Sequence, residues 1–249
     1  MLRPAALVAR NLWPSGRWGR YRYTYRSTDL ATANLSPFLD DPAFEQVYER
    51  VANHWYDGKV DIRWRAWMLA RLARQRSGAP AGEPGNFAEF GVYRGGYAFI
   101  ILSTADLVPS QRYFLFDTFE GIPADRLSER ERKYGLAEEW SNTSARDVAD
   151  LLAEWRSQIE ICAGDVFETL DRTETGDLSF AHLDLNASAP TLRSLEYAYS
   201  RLVPGAIVVF DDYGCARYED QRRSIDEFFA SRPEDVIALP TGQGLVIKR

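Results

Sequence analysis

The feature that most constrains the fold is a regular alternation of short apolar runs and helical segments after residue 85. Strands that alternate with helices form a mostly parallel sheet covered by helices on both faces. In such a sheet, ligands bind outside the carboxyl ends of the strands. The sequence therefore predicts a doubly wound α/β fold with functional residues directly after the strands. The seven predicted strands are residues 86–91, 113–117, 159–163, 179–183, 206–210, 236–239 and 244–247.

The residues before the sheet follow a different pattern. Apolar residues recur at helical spacing between residues 44 and 51 and again between residues 64 and 72, which predicts two helices. Residues 77–85 are rich in glycine and proline and interrupt regular structure. We therefore expect an N-terminal arm and helical cap at residues 1–83, followed by the sheet domain at residues 84–249.

Charge and composition argue against several classes of protein. The net charge of -6 disfavours nucleic-acid binding as the main function, because that binding relies on clustered Lys and Arg. No apolar run approaches the roughly 20 residues that a membrane-spanning helix needs. The two cysteines, Cys162 and Cys215, lack metal-ligand spacing and predict a reducing compartment. We expect a cytoplasmic protein that acts on a small molecule.

The first predicted strand ends in a glycine-rich turn that contains Glu89, Gly91, Tyr93 and Gly95. Glycines at this position permit a tight turn and let a ligand approach the backbone. The dinucleotide pattern G-x-G-x-x-G is absent, because Tyr93 occupies the position of the middle glycine. An acid beside this turn suits a cationic ligand better than a pyrophosphate. S-adenosylmethionine (SAM), which carries a sulfonium and an ammonium group, is such a ligand.

Two more acids follow the second and third predicted strands. Asp117 lies about one βαβ unit after the glycine turn, where a carboxylate can accept hydrogen bonds from ribose hydroxyls. Asp165 would meet the adenine amino group. Helix capping is the alternative for each acid alone, but three acids at successive strand ends together predict a SAM site. The expected cofactor-binding residues are Glu89, Gly91, Tyr93, Arg94, Gly95, Asp117, Thr118, Phe119, Asp165, Val166 and Asp184.

A second acidic group follows the fourth and fifth predicted strands. Asp184 directly follows the fourth predicted strand, and Asp211 and Asp212 directly follow the fifth. If these strands are neighbours, their three carboxylates converge in one crevice and need a cation. Hard oxygen ligands favour Mg²⁺ over Zn²⁺. Turn and helix-capping roles are the structural alternative. A bound hydroxyl group would have its pKa lowered there and would be aimed at the SAM methyl group.

Four segments carry a resemblance to a known family: residues 89–96, 116–121, 211–214 and 239–244. They resemble the sugar O-methyltransferases of the macrocin, mycinamicin and novobiocin pathways. The resemblance implies a seven-stranded, Rossmann-like class I SAM-dependent methyltransferase fold and a deoxysugar hydroxyl group as methyl acceptor. It also implies Mg²⁺ dependence, with Asp184, Asp211 and Asp212 as ligands, S-adenosylhomocysteine (SAH) as product, and a homodimer in natural-product biosynthesis.

The sequence departs from this family at the fourth strand. The family often has a second acid there, proposed as the general base, whereas this chain has Asn186. An amide cannot accept the proton, so Asn186 can only orient a hydroxyl group or contact the metal. His54 and His182 are other candidates for the base, with a core role favoured for His182. We therefore predict Asp184, Asn186 and His54 as catalytic residues.

The missing acid also keeps two other functions open. A catechol or another phenol, whose hydroxyl group is more acidic than that of a sugar, would make the absence of a base tolerable. A catalytically weak SAM-binding protein is the other alternative.

Overall fold

The computed structural model describes residues 17–18, 21–27, 30–53, 60–78 and 85–249. The chain forms two compact units, Met1–Trp67 and Met68–Arg249. Within the described residues, no helix is long and apolar enough to cross a membrane.

The first unit contains two short antiparallel ladders, Arg17–Trp18 with Tyr21–Arg22 and Tyr25–Arg26 with Ala31–Thr32. Helix α1 (Pro42–Ala52) follows a 3-10 turn at Pro37–Asp40. It begins there because the Asp41 carboxylate accepts a hydrogen bond from the Phe44 amide at 3.0 Å.

Helix α2 (Arg63–Arg74) confirms the second predicted helix. At its start, the buried Arg63 guanidinium pairs with Asp61 at 2.7 Å and with Glu45 at 3.2 Å. The rings of Phe38, Phe44 and Trp67 pack edge-on or tilted around this end of the helix.

The second unit is built on one seven-stranded sheet, which confirms the predicted α/β fold. Its strands are β1 (Asn86–Phe90), β2 (Tyr113–Asp117), β3 (Ile159–Ala163), β4 (Leu178–Leu183), β5 (Leu202–Phe210), β6 (Ile237–Ala238) and β7 (Gly244–Ile247). Their order is β6-β7-β5-β4-β1-β2-β3. Strands β1 to β5 are parallel, and β6 and β7 are antiparallel additions at one edge.

Helices connect these strands. They are α3 (Gly96–Thr104), α4 (Glu129–Lys133), α5 (Ala145–Leu151), α6 (Val166–Arg172), α7 (Ser188–Tyr199) and α8 (Glu219–Phe229). Strand β4 lies at the centre of the sheet, and all six of its residues are buried. A central parallel strand is covered on both faces, which explains why its sequence is nearly continuous in apolar residues.

Strand β5 starts four residues earlier than the sequence predicts. Pro204 and Gly205 resemble a turn in the sequence, yet they lie inside the strand. The register with β4 shifts between Leu178 and Phe180, and this irregularity accommodates the two residues.

Candidate functional site

The carboxylates of Asp184, Asp211 and Asp212 meet where the neighbouring strands β4 and β5 end. One oxygen from each lies within 4.8 Å of the others. Asp211 and Asp212 are 4% and 8% exposed, so their charges are shielded from water. Three carboxylates this close, two of them buried, repel one another unless a cation lies between them. Their oxygen-only donor set fits Mg²⁺.

The glycine turn after β1 packs directly against this acidic cluster. Gly91 has a φ of +89°, and a Cβ atom built on it would lie 2.0 Å from the Asp184 carbonyl oxygen. Gly95, with a φ of +77°, precedes α3. Only glycine fits the Gly91 position, because a side chain there would displace the backbone of Asp184. The turn and the acidic cluster therefore form one continuous site.

Asp117, the last residue of β2, binds the backbone of the glycine turn. One carboxylate oxygen accepts hydrogen bonds from the amides of Val92 and Tyr93, each at 2.7 Å. The other accepts from the Phe119 amide at 2.6 Å. Burial raises the pKa of Asp117, and these three backbone hydrogen bonds oppose that effect. The carboxylate thus fixes the shape of the turn and keeps lone pairs for a ligand.

Asp165 caps α6 by accepting a hydrogen bond from the Phe167 amide at 3.0 Å. Its second oxygen pairs with the Arg126 guanidinium at 2.9 Å. That guanidinium also lies 4.2 Å from the centre of the Phe167 ring. No sequence pattern pointed to Arg126, because its partner is 39 residues away. Val166 is 3% exposed at the start of the same helix.

Tyr93 and Arg94 extend the glycine turn toward residue 142. The Tyr93 hydroxyl donates to the Asn142 side chain at 2.7 Å, and the Arg94 side chain donates to the Asn142 carbonyl at 3.3 Å. Thr118 donates to the Gly121 carbonyl at 2.6 Å. Phe119, with a φ of +57°, is buried beside it. These predicted cofactor residues all belong to the loops at the ends of β1 and β2.

The predicted catalytic residues have different positions. Asn186 has a φ of +58°, a conformation that Asn tolerates better than most residues. Its amide nitrogen donates to the Asp184 carboxylate at 3.1 Å and to the Asp184 carbonyl at 3.2 Å. His54 lies outside the described residues.

His182 is fully buried in β4, as a core residue would be. Its ring lies 3.9 Å from the Glu89 carboxylate and 3.8 Å from the Asp211 carboxylate. Burial opposes protonation, but the two carboxylates outweigh it and raise the pKa of His182 to about 10.

Two residues to which the sequence reasoning gave no role hold the Asp211 carboxylate. Gln243 donates its amide to one oxygen at 2.8 Å, and the Tyr97 hydroxyl donates to the other at 3.3 Å. Gln243 lies in one of the segments that carry the family resemblance, which was the one available signal. Tyr97 gave none, because it occupies an ordinary apolar position in α3.

Segment 122–142 is bound to the parts of the chain that follow β4 and β5, the two strands whose ends carry the acidic cluster. The Glu131 carboxylate, 2% exposed, accepts hydrogen bonds from the amides of Ser128 and Ser188, each at 2.7 Å. The Ser128 hydroxyl donates to Asp220 at 2.7 Å, and Arg217 pairs with Glu139. Because segment 122–142 is highly charged and weakly apolar, its sequence is compatible with a lid over the site or with a plain surface helix. It contains the short helix α4 with 3-10 turns at Ala124–Arg126 and Leu136–Glu138.

Several solved methyltransferase structures share this architecture. The O-methyltransferase NovP matches with a TM-score of 0.70 at 18% identity, covering 85% of this chain and 98% of that chain. CalS11, a calicheamicin methyltransferase, matches with a TM-score of 0.63 at 18% identity, covering 86% and 94%. TomG from Streptomyces achromogenes, solved with SAM, matches with a TM-score of 0.51 at 19% identity, covering 84% and 91%. The fold is that of a class I methyltransferase.

Sequence comparison gives the family. The profile described as Macrocin-O-methyltransferase (TylF) matches residues 76–237, and the chain belongs to this family. A curated relative from Streptomyces olivaceus, 8-demethyl-8-(2,3-dimethoxy-alpha-L-rhamnosyl)-tetracenomycin-C 4'-O-methyltransferase, is 30% identical over 144 residues. The match covers 53% of this chain and 54% of the relative, so the chain spans about half the length of that protein.

Proposed function

We propose that this protein is an O-methyltransferase that transfers the methyl group of SAM to a hydroxyl group of a sugar or glycosylated natural product, with the assistance of Mg²⁺. The observation that carries the proposal is the contact between the glycine turn and the acidic cluster at Gly91 and Asp184. A methyltransferase that activates its acceptor with a metal needs the methyl donor and the cation side by side. The curated relative, which is named as a rhamnosyl-tetracenomycin-C 4'-O-methyltransferase, supports the acceptor class.

The proposed roles follow from what each side chain contacts. Asp184, Asp211 and Asp212 would hold Mg²⁺, which when bound lowers the pKa of a coordinated hydroxyl group. The glycine turn, shaped by Asp117, would bind the cofactor with Tyr93 and the predicted cofactor residues at the ends of β2 and β3. Asn186 holds the Asp184 carboxylate in place through its amide and leaves proton removal to another group.

A second acceptor class is favoured by one specific observation. Asn186 stands where the family's sugar enzymes often have an acid, and its amide nitrogen faces Asp184 as a donor. A catechol or phenol loses its proton more readily than a sugar and needs less help from a base. Parallel assays with deoxysugar and catechol acceptors, each with and without Mg²⁺, separate the two classes. A catalytically weak SAM-binding protein would methylate neither.

The first test is calorimetric titration of SAM and SAH into the wild type and into Asp212→Asn, with and without Mg²⁺. We expect both proteins to bind SAH and only the wild type to bind Mg²⁺, because the substitution removes one of three clustered anionic ligands. Asp235→Asn, at an acid whose side chain is 93% exposed, is the matched control. Absence of SAM and SAH binding to the wild type contradicts the proposed function.

We also propose a cytoplasmic homodimer. The low cysteine content is typical of proteins from a reducing compartment. The division into a cap at residues 1–83 and a methyltransferase domain at residues 84–249 is proposed on the break in regular sequence patterns at residues 77–85. Light scattering on the purified protein measures the oligomeric state directly, and a monomeric mass contradicts the dimer.

A further inference from the structure

A row of polar side chains runs through the buried core of the sheet beneath the acidic cluster. Glu89 of β1 and His182 of β4 are register partners, so their side chains point to the same face of the sheet. Tyr113 of β2 lies on this face two residues before Leu115, the β2 partner of Glu89. Glu89, His182 and Tyr113 are each 0% exposed. Asp211 continues the row at the end of β5.

His182 lies between two carboxylates. Its Nδ1 atom is 3.9 Å from Oε2 of Glu89, and its Nε2 atom is 3.8 Å from Oδ1 of Asp211. The Tyr113 hydroxyl donates a hydrogen bond to Oε2 of Glu89. The ring of Tyr97 packs edge-on against the imidazole, with the ring centroids 5.0 Å apart. The row therefore connects Glu89 to a carboxylate of the acidic cluster.

This arrangement is costly for a protein core. Among the described residues, no hydrogen-bond partner lies within reach of either ring nitrogen of His182 or of Oε1 of Glu89. Burying ionisable groups without complete hydrogen bonding destabilises the folded state, and apolar side chains of similar volume are often as stable or more stable. Packing alone therefore does not explain the presence of Glu89 and His182.

Metal sites provide a reason for such a row. Carboxylates that bind a metal are commonly held by further hydrogen-bonding groups that fix their orientation. Asp211 is held by Gln243 and Tyr97 from two other directions, at 2.8 and 3.3 Å. Glu89 has no exposed surface from which to contact a cofactor.

We propose that Glu89 and His182 are positioning residues that orient the Asp211 carboxylate for divalent-metal binding, and that Glu89 acts through His182 rather than on the cofactor. This inference rests on the Mg²⁺ site of the proposed function. Under this inference, Glu89 supports the acidic cluster that would bind the metal. Its position beside the glycine turn in the sequence had instead suggested a role in cofactor binding.

The test compares wild type, Glu89→Gln, His182→Leu and the double variant. Mn²⁺, a hard divalent cation that suits carboxylate ligands, is titrated and followed by electron paramagnetic resonance, and SAH is titrated by calorimetry without metal. We expect each single variant to bind Mn²⁺ about 10- to 100-fold more weakly, as found when groups that orient metal ligands are removed. SAH affinity stays at the wild-type value, which also shows that the variants are folded.

The double variant tests the connection between the two residues. If Glu89 acts through His182, adding Glu89→Gln to His182→Leu weakens Mn²⁺ binding no further, whereas independent structural effects would add. Glu234→Gln is the control, because Glu234 is also a buried carboxylate and lies outside this row. Tyr113→Phe, which removes only the hydroxyl that donates to Glu89, provides a milder variant should Glu89→Gln not fold.

Three outcomes overturn the inference. Loss of SAH affinity in Glu89→Gln, with unchanged Mn²⁺ affinity, would show that Glu89 acts in cofactor binding. Unchanged Mn²⁺ affinity in the single variants would give Glu89 and His182 a packing role. If the wild-type protein binds SAH but not Mn²⁺, the proposed metal site is wrong, and so is the metal-dependent part of the proposed function. Failure of the metal site is therefore distinguishable from failure of the positioning role alone.

Discussion

Gly91 shows how one residue joins the two halves of the site. Its left-handed backbone lets the glycine turn approach the Asp184 carbonyl to a distance that no side chain permits. We expect Gly91→Ala to lower the free energy of unfolding by about 3 kcal/mol or more, since backbone strain of about 1–3 kcal/mol is added to a steric clash. Urea denaturation measures this change, and calorimetry should show weaker SAH binding in the variant.

Gly135→Ala is the matched control for this prediction. Gly135 has a φ of +74°, but no atom lies within 4 Å of an added Cβ atom, so only backbone strain of about 1 kcal/mol applies. Equal destabilisation of the two variants would show that the contact with Asp184 does not matter.

At the residue scale, the sequence predicted that Asp184, Asp211 and Asp212 lie together, but it did not predict the contacts of most individual side chains. Asp184, Asp211 and Asp212 were recognisable because each directly follows a strand, which is a local property of the chain. The partners of Glu89 were not recognisable. Tyr113 and His182 reach it from neighbouring strands, 24 and 93 residues away in sequence, and only the strand order brings them together.

At the scale of elements, helix α4 depends on one buried carboxylate. Glu131 accepts hydrogen bonds from two backbone amides, Ser128 in its own capping box and Ser188 at the start of α7. We expect Glu131→Gln to lower the free energy of unfolding by about 1–3 kcal/mol, because the amide nitrogen would face one of these N–H donors. Limited proteolysis should then cut within segment 122–142 faster than in the wild type.

Glu129→Gln, on the same short helix, is the control. The Glu129 side chain is 80% exposed and pairs only with Lys133 in the described contacts, so we expect a change of at most about 0.5 kcal/mol. Equal proteolysis rates for Glu131→Gln and the wild type would show that the segment is held mainly by other contacts.

For whole elements, periodicity predicted the seven strands and the two N-terminal helices but was ambiguous for segment 122–142. Its apolar residues are few, and its contacts reach Ser188 and Asp220 at the starts of the distant helices α7 and α8. A short helix that is stabilised by such distant partners leaves little signal in the surrounding sequence. The early start of strand β5 also depends on a distant part of the chain. A register shift in its pairing with β4 accommodates Pro204 and Gly205.

At the scale of the whole second unit, Glu234 joins the end of the chain to the rest of the fold. Its carboxylate accepts hydrogen bonds from Lys248 at 2.9 Å, from the Arg249 amide at 3.1 Å and from Tyr199 at 2.8 Å. Desolvation opposes ionisation, but these donors outweigh it and lower the pKa of Glu234 from 4.5 to about 2. Its contribution to stability is therefore present above the unfolded pKa and is lost as the pH falls from about 4.5 toward 2.

We expect Glu234→Gln to be less stable than the wild type at neutral pH and to approach it as the solution is acidified. Urea midpoints measured along this pH series give the difference directly. Parallel pH profiles for the two proteins would contradict the assigned ionisation of Glu234.

The sequence by itself determined the α/β class, the seven strands and the three carboxylates of the acidic cluster, because strand periodicity and position at a strand end are local properties. The tertiary structure decided that Asp117 and Asp165 bind backbone amides, that Glu131 fastens segment 122–142, and that Glu89 faces His182. Each of these contacts depends on which strands and loops become neighbours. That arrangement is set by the packing of the whole sheet and its helices, which no local pattern of residues encodes.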